Sequence, residues 1–438
     1  MARLFLTLFL LALTSPAASA TEGPAVSPPA APAEPPVPLS SPTETPPLTL
    51  ADCFALALKR SETIAIQREL IKETEGRFLQ ALSGALPRAT FEASKEWQDG
   101  REGSSFTLSQ IPQRKFIFSQ PLFSGFKEFA AIQGSRAERR QRQYQRTRAE
   151  QLLFTDVADA FHLLLEKQED RQALETTQTA LGERIDDLKT REQLGRSRPS
   201  EVVSAEAQLR RVEADFELDR SEETTARQLL EFLTGISPLG PIRDDLSDLP
   251  PLGTEEEYVA KAKDRPDVRA SEEAWRVAQK EVGVAQGDLW PDINVESNYY
   301  TQRVGAAAGV DWDVLLKMDV PLFQGGRAVG ALREAASKAR QAKLTFERTQ
   351  RETNLDIREA HAKLQGAIAR LAALQRALAA AEENYRLQQE DYRLNLVNNL
   401  DVLKTLQELE DARRDVISAH HEAKRLYWKL RVAMGETL

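Results

Sequence analysis

The chain spells out one long plan twice. Gln120-Pro121-Leu122-Phe123-Ser124-Gly125 returns as Val320-Pro321-Leu322-Phe323-Gln324-Gly325, an offset of 200 residues. Glu201-Val202 returns as Asp401-Val402, and Leu233-Thr234-Gly235 as Ala433-Met434-Gly435, at the same offset. One anchor slips: Ala85-Leu86-Pro87 matches Leu289-Trp290-Pro291 at 204, so a loop between the anchors differs by four residues. Solenoid repeats run to about 20–50 residues. A repeat this long marks a duplicated, domain-sized element and predicts internal pseudo-symmetry.

The first residues read as address rather than fold. Residues 1–20 carry Arg3, an apolar run from Leu4 to Leu13 and the small-x-small site Ala18-Ser19-Ala20, the pattern of a secretory signal peptide. Residues 21–47 hold Pro, Ala, Ser, Thr and Glu with few large apolar groups, and so read as an extended, disordered Pro-rich linker. Beyond them no apolar run approaches the roughly 20 residues of a membrane-spanning helix.

Charge and ligand chemistry narrow the function classes. The net charge of −9 with both signs scattered argues against nucleic acid as a partner. The sole cysteine, Cys53, follows Asp52 far from the signal, so it reads as a small buried hydrophobe on a helix rather than a lipid-attachment site. His162, His361, His420 and His421 show no ligand spacing with cysteine, and read as packing or solvated side chains rather than a zinc site. There is no nucleophile elbow, no phosphate loop and no metal spacing, so neither an enzyme nor a cofactor is expected. Gly325-Gly326 reads as a strand-to-helix turn.

Each copy carries three helical stretches around a pair of strands. In the first, 48–235, helical text runs from Leu48 to Leu86, where Thr49 or Ser61 can cap and Pro87 stops it. A second stretch runs from Gly125 to about Leu194 without a proline, and a third from Pro199 to Leu233. At about 1.5 Å per residue the middle helix reaches on the order of 105 Å, and its neighbours about half that. Residues 255–438 repeat the plan after a linker, 236–254, that runs across the middle. Phe154, Val157, Phe161 and Leu164 step by three and four, as do Leu371, Leu374, Leu378, Ala381 and Tyr385, a coiled-coil seam. At the far turns Gly195 suits a left-handed C-cap and Pro199 a first helical turn, while Asn395 takes the glycine place in the second copy and Asn398 or Asn399 can cap.

Four strands are expected near 88–97, 106–120, 292–300 and 310–320. Trp312, Val314 and Leu316 alternate with Asp311, Asp313 and Lys317; Val295 and Tyr299 alternate with Asn294, Glu296 and Asn298. Phe91 and Trp97 in the first strand, and Phe106, Leu108, Phe116 and Phe118 in the second, hold one parity. Ten-residue strands with period-two amphipathicity fit an outer-membrane barrel. Phe91, Trp97, Phe116, Phe118, Val295, Tyr299, Trp312, Val314 and Leu316 are then the lipid-facing set, with Trp97, Tyr299 and Trp312 at interface level. Four strands cannot close a barrel, and lipid does not tolerate an open edge. Twelve strands from three chains is a plausible closure.

The doubled Pro-Leu-Phe-x-Gly junctions, the Leu-Thr-Gly end of copy one, Leu194-Gly195 before Ser200-Glu201-Val202 and Leu394-Asn395 before Leu400-Asp401-Val402 resemble the TolC-like outer-membrane efflux factors across residues 48–435. The resemblance implies a mostly α fold with a small β-barrel part, a trimeric channel-tunnel across the outer membrane and the periplasm. It implies a homotrimer, contact with outer-membrane lipid, a periplasmic adaptor (membrane fusion protein) and an inner-membrane pump of RND or ABC type, in efflux or type I secretion. It makes Leu194, Gly195, Arg196, Leu394, Asn395 and Leu396 the adaptor-docking tips, with Asn395 where the family carries glycine. It makes Asp401 part of a periplasmic gate, with Lys404 where the family carries a second aspartate. The alternative is a periplasm-spanning coiled-coil rod without a channel, which the alternating strands argue against.

Overall fold

The computed structural model describes residues 47–99, 108–246, 248–394 and 396–438. The signal-like segment 1–20, residues 21–46 of the expected linker, Phe106 and Asn395 lie outside the described residues. The elements run α1 Leu50–Arg60, α2 Glu62–Ser83, β1 Arg88–Trp97, β2 Gln110–Ser124, α3 Lys127–Gln193 and α4 Pro199–Thr234. They continue as α5 Glu255–Ala260, a 3-10 turn Lys261–Asp264, α6 Pro266–Gly287, β3 Asp292–Gln302, β4 Trp312–Asp319, α7 Arg327–Arg393 and α8 Asn399–Ala433. Two short helices, two strands, a 67-residue helix and a helix of 35 or 36 residues thus come in the same order twice.

Local chemistry sets most helix ends. Thr49 and Asp52 form a reciprocal capping box at α1. The stretch expected to be one helix from Leu48 to Leu86 is two, because Ser61 turns extended and its hydroxyl accepts the Ile64 N–H at the start of α2. The first helical stretch of the second half is broken likewise, by the 3-10 turn and Arg265, with Pro266 at the first position of α6. Asn398 caps α8 in a box with Asp401. Gly195, with φ +70°, closes α3: its N–H reaches the Glu192 carbonyl at 2.8 Å and the Arg196 N–H reaches Arg191 at 2.8 Å, a Schellman motif.

The four strands form one antiparallel sheet in the order β1-β2-β3-β4. β2 runs to Ser124, beyond the end near 120 expected from sequence, because β3 continues to pair with it through Phe123 and Ser124 past an irregularity at Pro121.

Around each 67-residue helix, about 100 Å at 1.5 Å per residue, packing changes along the length. Near the strands α3 lies against α2 and α6; farther on it lies against α1, α4 and α8. Phe154, Val157, Phe161 and Leu164 are all fully buried, against Cys53 and Ala57 of α1, Leu230 of α4 and Trp428 of α8. Phe154 meets Phe54 and Trp428 edge-on at 5.0 and 5.3 Å. The linker crosses here: Leu48 donates to the Pro241 carbonyl at 2.8 Å, Arg243 donates back to Leu48 at 2.9 Å, and Leu239 is buried in the same cluster. A second core, with Leu181, Leu188, Val202, Val402 and Leu406, joins the far ends of α3, α4 and α8.

Phe161 has no exposed surface, so Phe161→Ala should cost about 3–5 kcal/mol. Thermal unfolding in mild detergent should show a large drop in midpoint, while Leu152→Ala, on the exposed face of the same helix, should leave it nearly unchanged.

Candidate functional site

Three regions carry the candidate functional residues: the sheet, the far tips of the helices and the charged contacts along α8. In the sheet, register brings the expected apolar set onto one face. Phe91 pairs with Phe116, Phe116 with Tyr299, and Tyr299 with Trp312, giving one row of aromatic rings across all four strands. The next rows carry Phe118, Ser297 and Val314, then Gln120, Val295 and Leu316. Phe91 and Phe116 touch with centroids 5.0 Å apart. Except for half-buried Val295, all nine, with Trp97 at the end of β1, are exposed in the protomer. The opposite face is polar. There Asp313 accepts from the Asn298 amide at 2.9 Å and the Tyr300 hydroxyl at 2.8 Å, and Lys115 faces Glu92 at 3.9 Å. Ile111, Ile117 and Leu315 are apolar exceptions on that face.

At the far tips Leu194, Gly195, Arg196, Leu394 and Leu396 are exposed, while Val202 and Val402 just behind them share one core. Asn395, expected as the sixth tip residue, lies outside the described residues. The sequence reading missed what joins the two tips. Arg184 and Arg191 of α3 lie over the ring of Tyr392 at 3.8 and 4.9 Å, and the Arg184 Nε donates to the Asn399 Oδ1 at 3.0 Å. The seven-residue spacing of the two arginines, two helical turns, was a signal for one shared partner. Asp401 and Lys404 are not paired with each other. The Asp401 carboxylate accepts the Asn398 N–H in the capping box, and the exposed Lys404 ammonium lies 3.8 Å from Glu408.

Between the tips and mid-height, α8 is tied to α3 and α4 by charges that single-sequence reading did not assemble. Arg414 donates to Asp219 of α4 at 2.9 Å and lies 3.5 Å from Asp170 of α3. Lys167 lies 3.4 Å from Asp219 and 2.6 Å from Glu222. Arg425 meets Glu166 at 2.7 Å, and Lys424 meets Asp244 of the linker at 2.5 Å. Asp219, Asp170, Glu166 and Lys424 are buried, so removing one partner should cost about 3–5 kcal/mol. His162 is fully buried, and burial depresses its pKa to about 3, so it is neutral at pH 7 and only 4.0 Å from Asp244. Burial also opposes ionisation of Asp244, but the Lys424 and Leu246 hydrogen bonds hold its carboxyl below the ordinary range.

Among the described residues no group of three or more His, Cys, Asp and Glu side chains could hold a metal ion. Among the described residues, too, no helix is long and apolar enough to cross a membrane.

Residues 259–436 match the model of the outer membrane efflux protein family. The chain is 22% identical over 393 residues to the outer membrane protein TolC of Vibrio cholerae, covering 85% of this chain and 86% of that protein. Its fold superimposes on CusC with a TM-score of 0.78 at 18% identity, covering 89% of this chain and 92% of that one. On VceC from Vibrio cholerae the TM-score is 0.77 at 20% identity, covering 88% and 96%.

Glu410 generates a pH prediction. Burial, chiefly, raises its pKa to about 7; Arg414 and Arg211 oppose the shift, and Asp411 and Asp215 add to it. A carboxyl with a folded pKa above its unfolded value of about 4.3 favours the fold while protonated. Its contribution is therefore complete below about pH 4.3 and is lost as pH rises to 7. Glu410→Gln should be more stable than wild type at pH 8, by on the order of 2 kcal/mol, with the gap closing towards pH 4. Melting temperatures of both proteins across that range provide the measurement.

Proposed function

We propose that this chain, a TolC homologue whose residues 259–436 carry the outer membrane efflux protein domain, is the passive exit duct of a tripartite efflux or type I secretion system. Its location is the outer membrane, with the long helices extending into the periplasm. The observation that carries this reading is the pairing of two unlike parts in one chain: a sheet with one exposed aromatic face and one polar face, and two helices of 67 residues. A periplasmic rod would leave the aromatic row without a role.

The working unit is a homotrimer. In the protomer β1 and β4 each have a strand on one side only, and hydrocarbon penalises unpaired backbone groups by several kcal/mol each. Three sheets joined edge to edge satisfy both edges and close a twelve-stranded barrel. Phe91, Phe116, Phe118, Val295, Val314 and Leu316 then face lipid, with Trp97, Tyr299 and Trp312 at the interface, and the Asp313 network faces the lumen. The exposed tips at Leu194, Gly195, Arg196, Leu394 and Leu396 are the surface for the periplasmic adaptor, behind which an inner-membrane pump of RND or ABC type supplies energy and selects cargo. Asp401 and Lys404, in the first turns of α8, line the periplasmic mouth as rings of opposite charge.

The direct test is conductance. Purified protein reconstituted in planar bilayers should give stable pores, and its absence from every insertion trial would overturn the duct. In the same recordings Lys404→Asp should increase block by multivalent cations added on the periplasmic side, and Asp401→Asn should reduce it. No change in either variant would remove these residues from the pore. The strand faces are checked separately. Val314→Arg should cost about 2–4 kcal/mol near the bilayer centre and reduce membrane-assembled protein, whereas Asp313→Arg, on the other face, should assemble at near wild-type yield.

A further inference from the structure

The two strand-to-helix junctions differ at one telling position. Gly125-Phe126 in the first copy answers to Gly325-Gly326 in the second. The backbone is left-handed at all four residues, with φ of 65° and 61° against 58° and 86°. Glycine enters this region freely, but for a bulky side chain it is an outlier that persists only when something offsets it. Among the described residues Phe126 is the only one besides glycines with positive φ. The protomer itself offsets little. Phe126 is the N-cap of α3 yet supplies no side-chain cap, and its ring is 60% exposed. Its aromatic contacts are Phe123 at 5.1 Å and Phe129 at 6.2 Å, and Phe129 is 65% exposed.

The surroundings say which way these rings look. α3 lies between α2 and α6 of its own chain: a Cβ on Gly84, at the end of α2, would lie 3.5 Å from Glu128, and one on Gly283 of α6 would lie 3.2 Å from Ala130. The free edges of the sheet are β1 and β4, so a second copy joined there meets α2 or α7 rather than the exposed side of α3. Phe123 stands in the last row of the aromatic face of the sheet, paired with Ile293, which pairs with Met318. Phe126 and Phe129 carry that face onto the helix. One turn farther the same stripe becomes polar, with exposed Gln133, Arg136 and Arg140, and Arg136 lies over the Phe78 ring at 5.8 Å. Exposed aromatic rings followed by arginines along one stripe follow the order of a bilayer interface, acyl region first and headgroups next. The counterparts on α7 are Gly326 and Val329, so the aromatic pair belongs to one half only.

We infer that Phe126 and Phe129 form a wedge that enters the periplasmic leaflet of the outer membrane, one wedge per chain. Lipid acyl chains occupy the cleft of about 240 Å³ between Ala85, Leu122, Phe126 and Phe129, and lipid phosphates lie level with Arg136, about 10 Å beyond Phe129 along the helix. Contact with lipid offsets the left-handed backbone at Phe126. This rests on the lipid-facing reading of the sheet and adds the first turn of α3 to the membrane-embedded part.

The test uses the full chain with Cys53→Ala in phosphatidylethanolamine–phosphatidylglycerol vesicles, with part of the lipid carrying a nitroxide near the head of its acyl chain. A single cysteine introduced by Phe129→Cys, Gln143→Cys or Phe118→Cys carries an environment-sensitive fluorophore. Quenching at 129 should be at least twice that at 143, four turns along the same stripe, and should approach that at 118 on the sheet. Adding Phe126→Gly, which the left-handed backbone accommodates, should at least halve the difference between 129 and 143. Strong quenching at 118 with none in excess at 129, whether the label there is open to aqueous iodide or covered by another chain, overturns the wedge and leaves the lipid face of the sheet intact. Quenching at 129 that is unchanged by Phe126→Gly overturns the part given to Phe126. Quenching at neither 118 nor 129 removes the wedge together with the lipid-facing reading.

Discussion

Everything in this molecule hangs on the buried seam of α3 at Phe154, Val157, Phe161 and Leu164. A helix of 67 residues has far more surface than any single neighbour can cover. It is held by handing its sides to different partners at different heights, α2 and α6 near the strands, α1, α4 and α8 beyond. The seam lies where the handover occurs. There α1, the ends of α4 and α8, and the crossing linker meet the same four side chains. Without that knot α3 would lose its support at mid-height, between the sheet end and the tip core. Hydrophobic burial fixes the handover, and below it the charges take over: Arg414, Lys167 and Arg425 join three helices where apolar contacts thin out.

How much of this was legible in the sequence depends on how far apart the causes lie. Caps act over three or four residues, so Thr49, Asn398 and Gly195 could be read directly. Alternation along a strand is equally local, which is why Phe91, Phe116, Tyr299 and Trp312 could be assigned to one face before their pairing was known. The break at Ser61 was harder, since the same serine serves a helix start or a helix interior and only the packing of α1 decides. The extra length of β2 came from β3, a strand more than 150 residues away. The Arg414–Asp219 pair, at a separation of 195 residues, and the Tyr392 clamp carry no one-dimensional pattern, because any exposed arginine on a charged helix looks alike until its neighbour is known. Asp401 is instructive in another way: the family resemblance made it part of a gate, while its carboxylate accepts the backbone N–H of Asn398.

The equal length of α3 and α7 has a consequence for how such a chain can change. One residue inserted into either helix advances everything beyond it by about 1.5 Å and rotates it by about 100°. In α3 that would swing Arg184 and Arg191 away from Tyr392 and move one tip out of level with the other. The two helices therefore act as a paired ruler that can be recut only in matched steps, whereas the strand side has already absorbed a four-residue difference between the halves. Length is the inherited quantity in the lower half of this molecule; shape is free to drift only at the top.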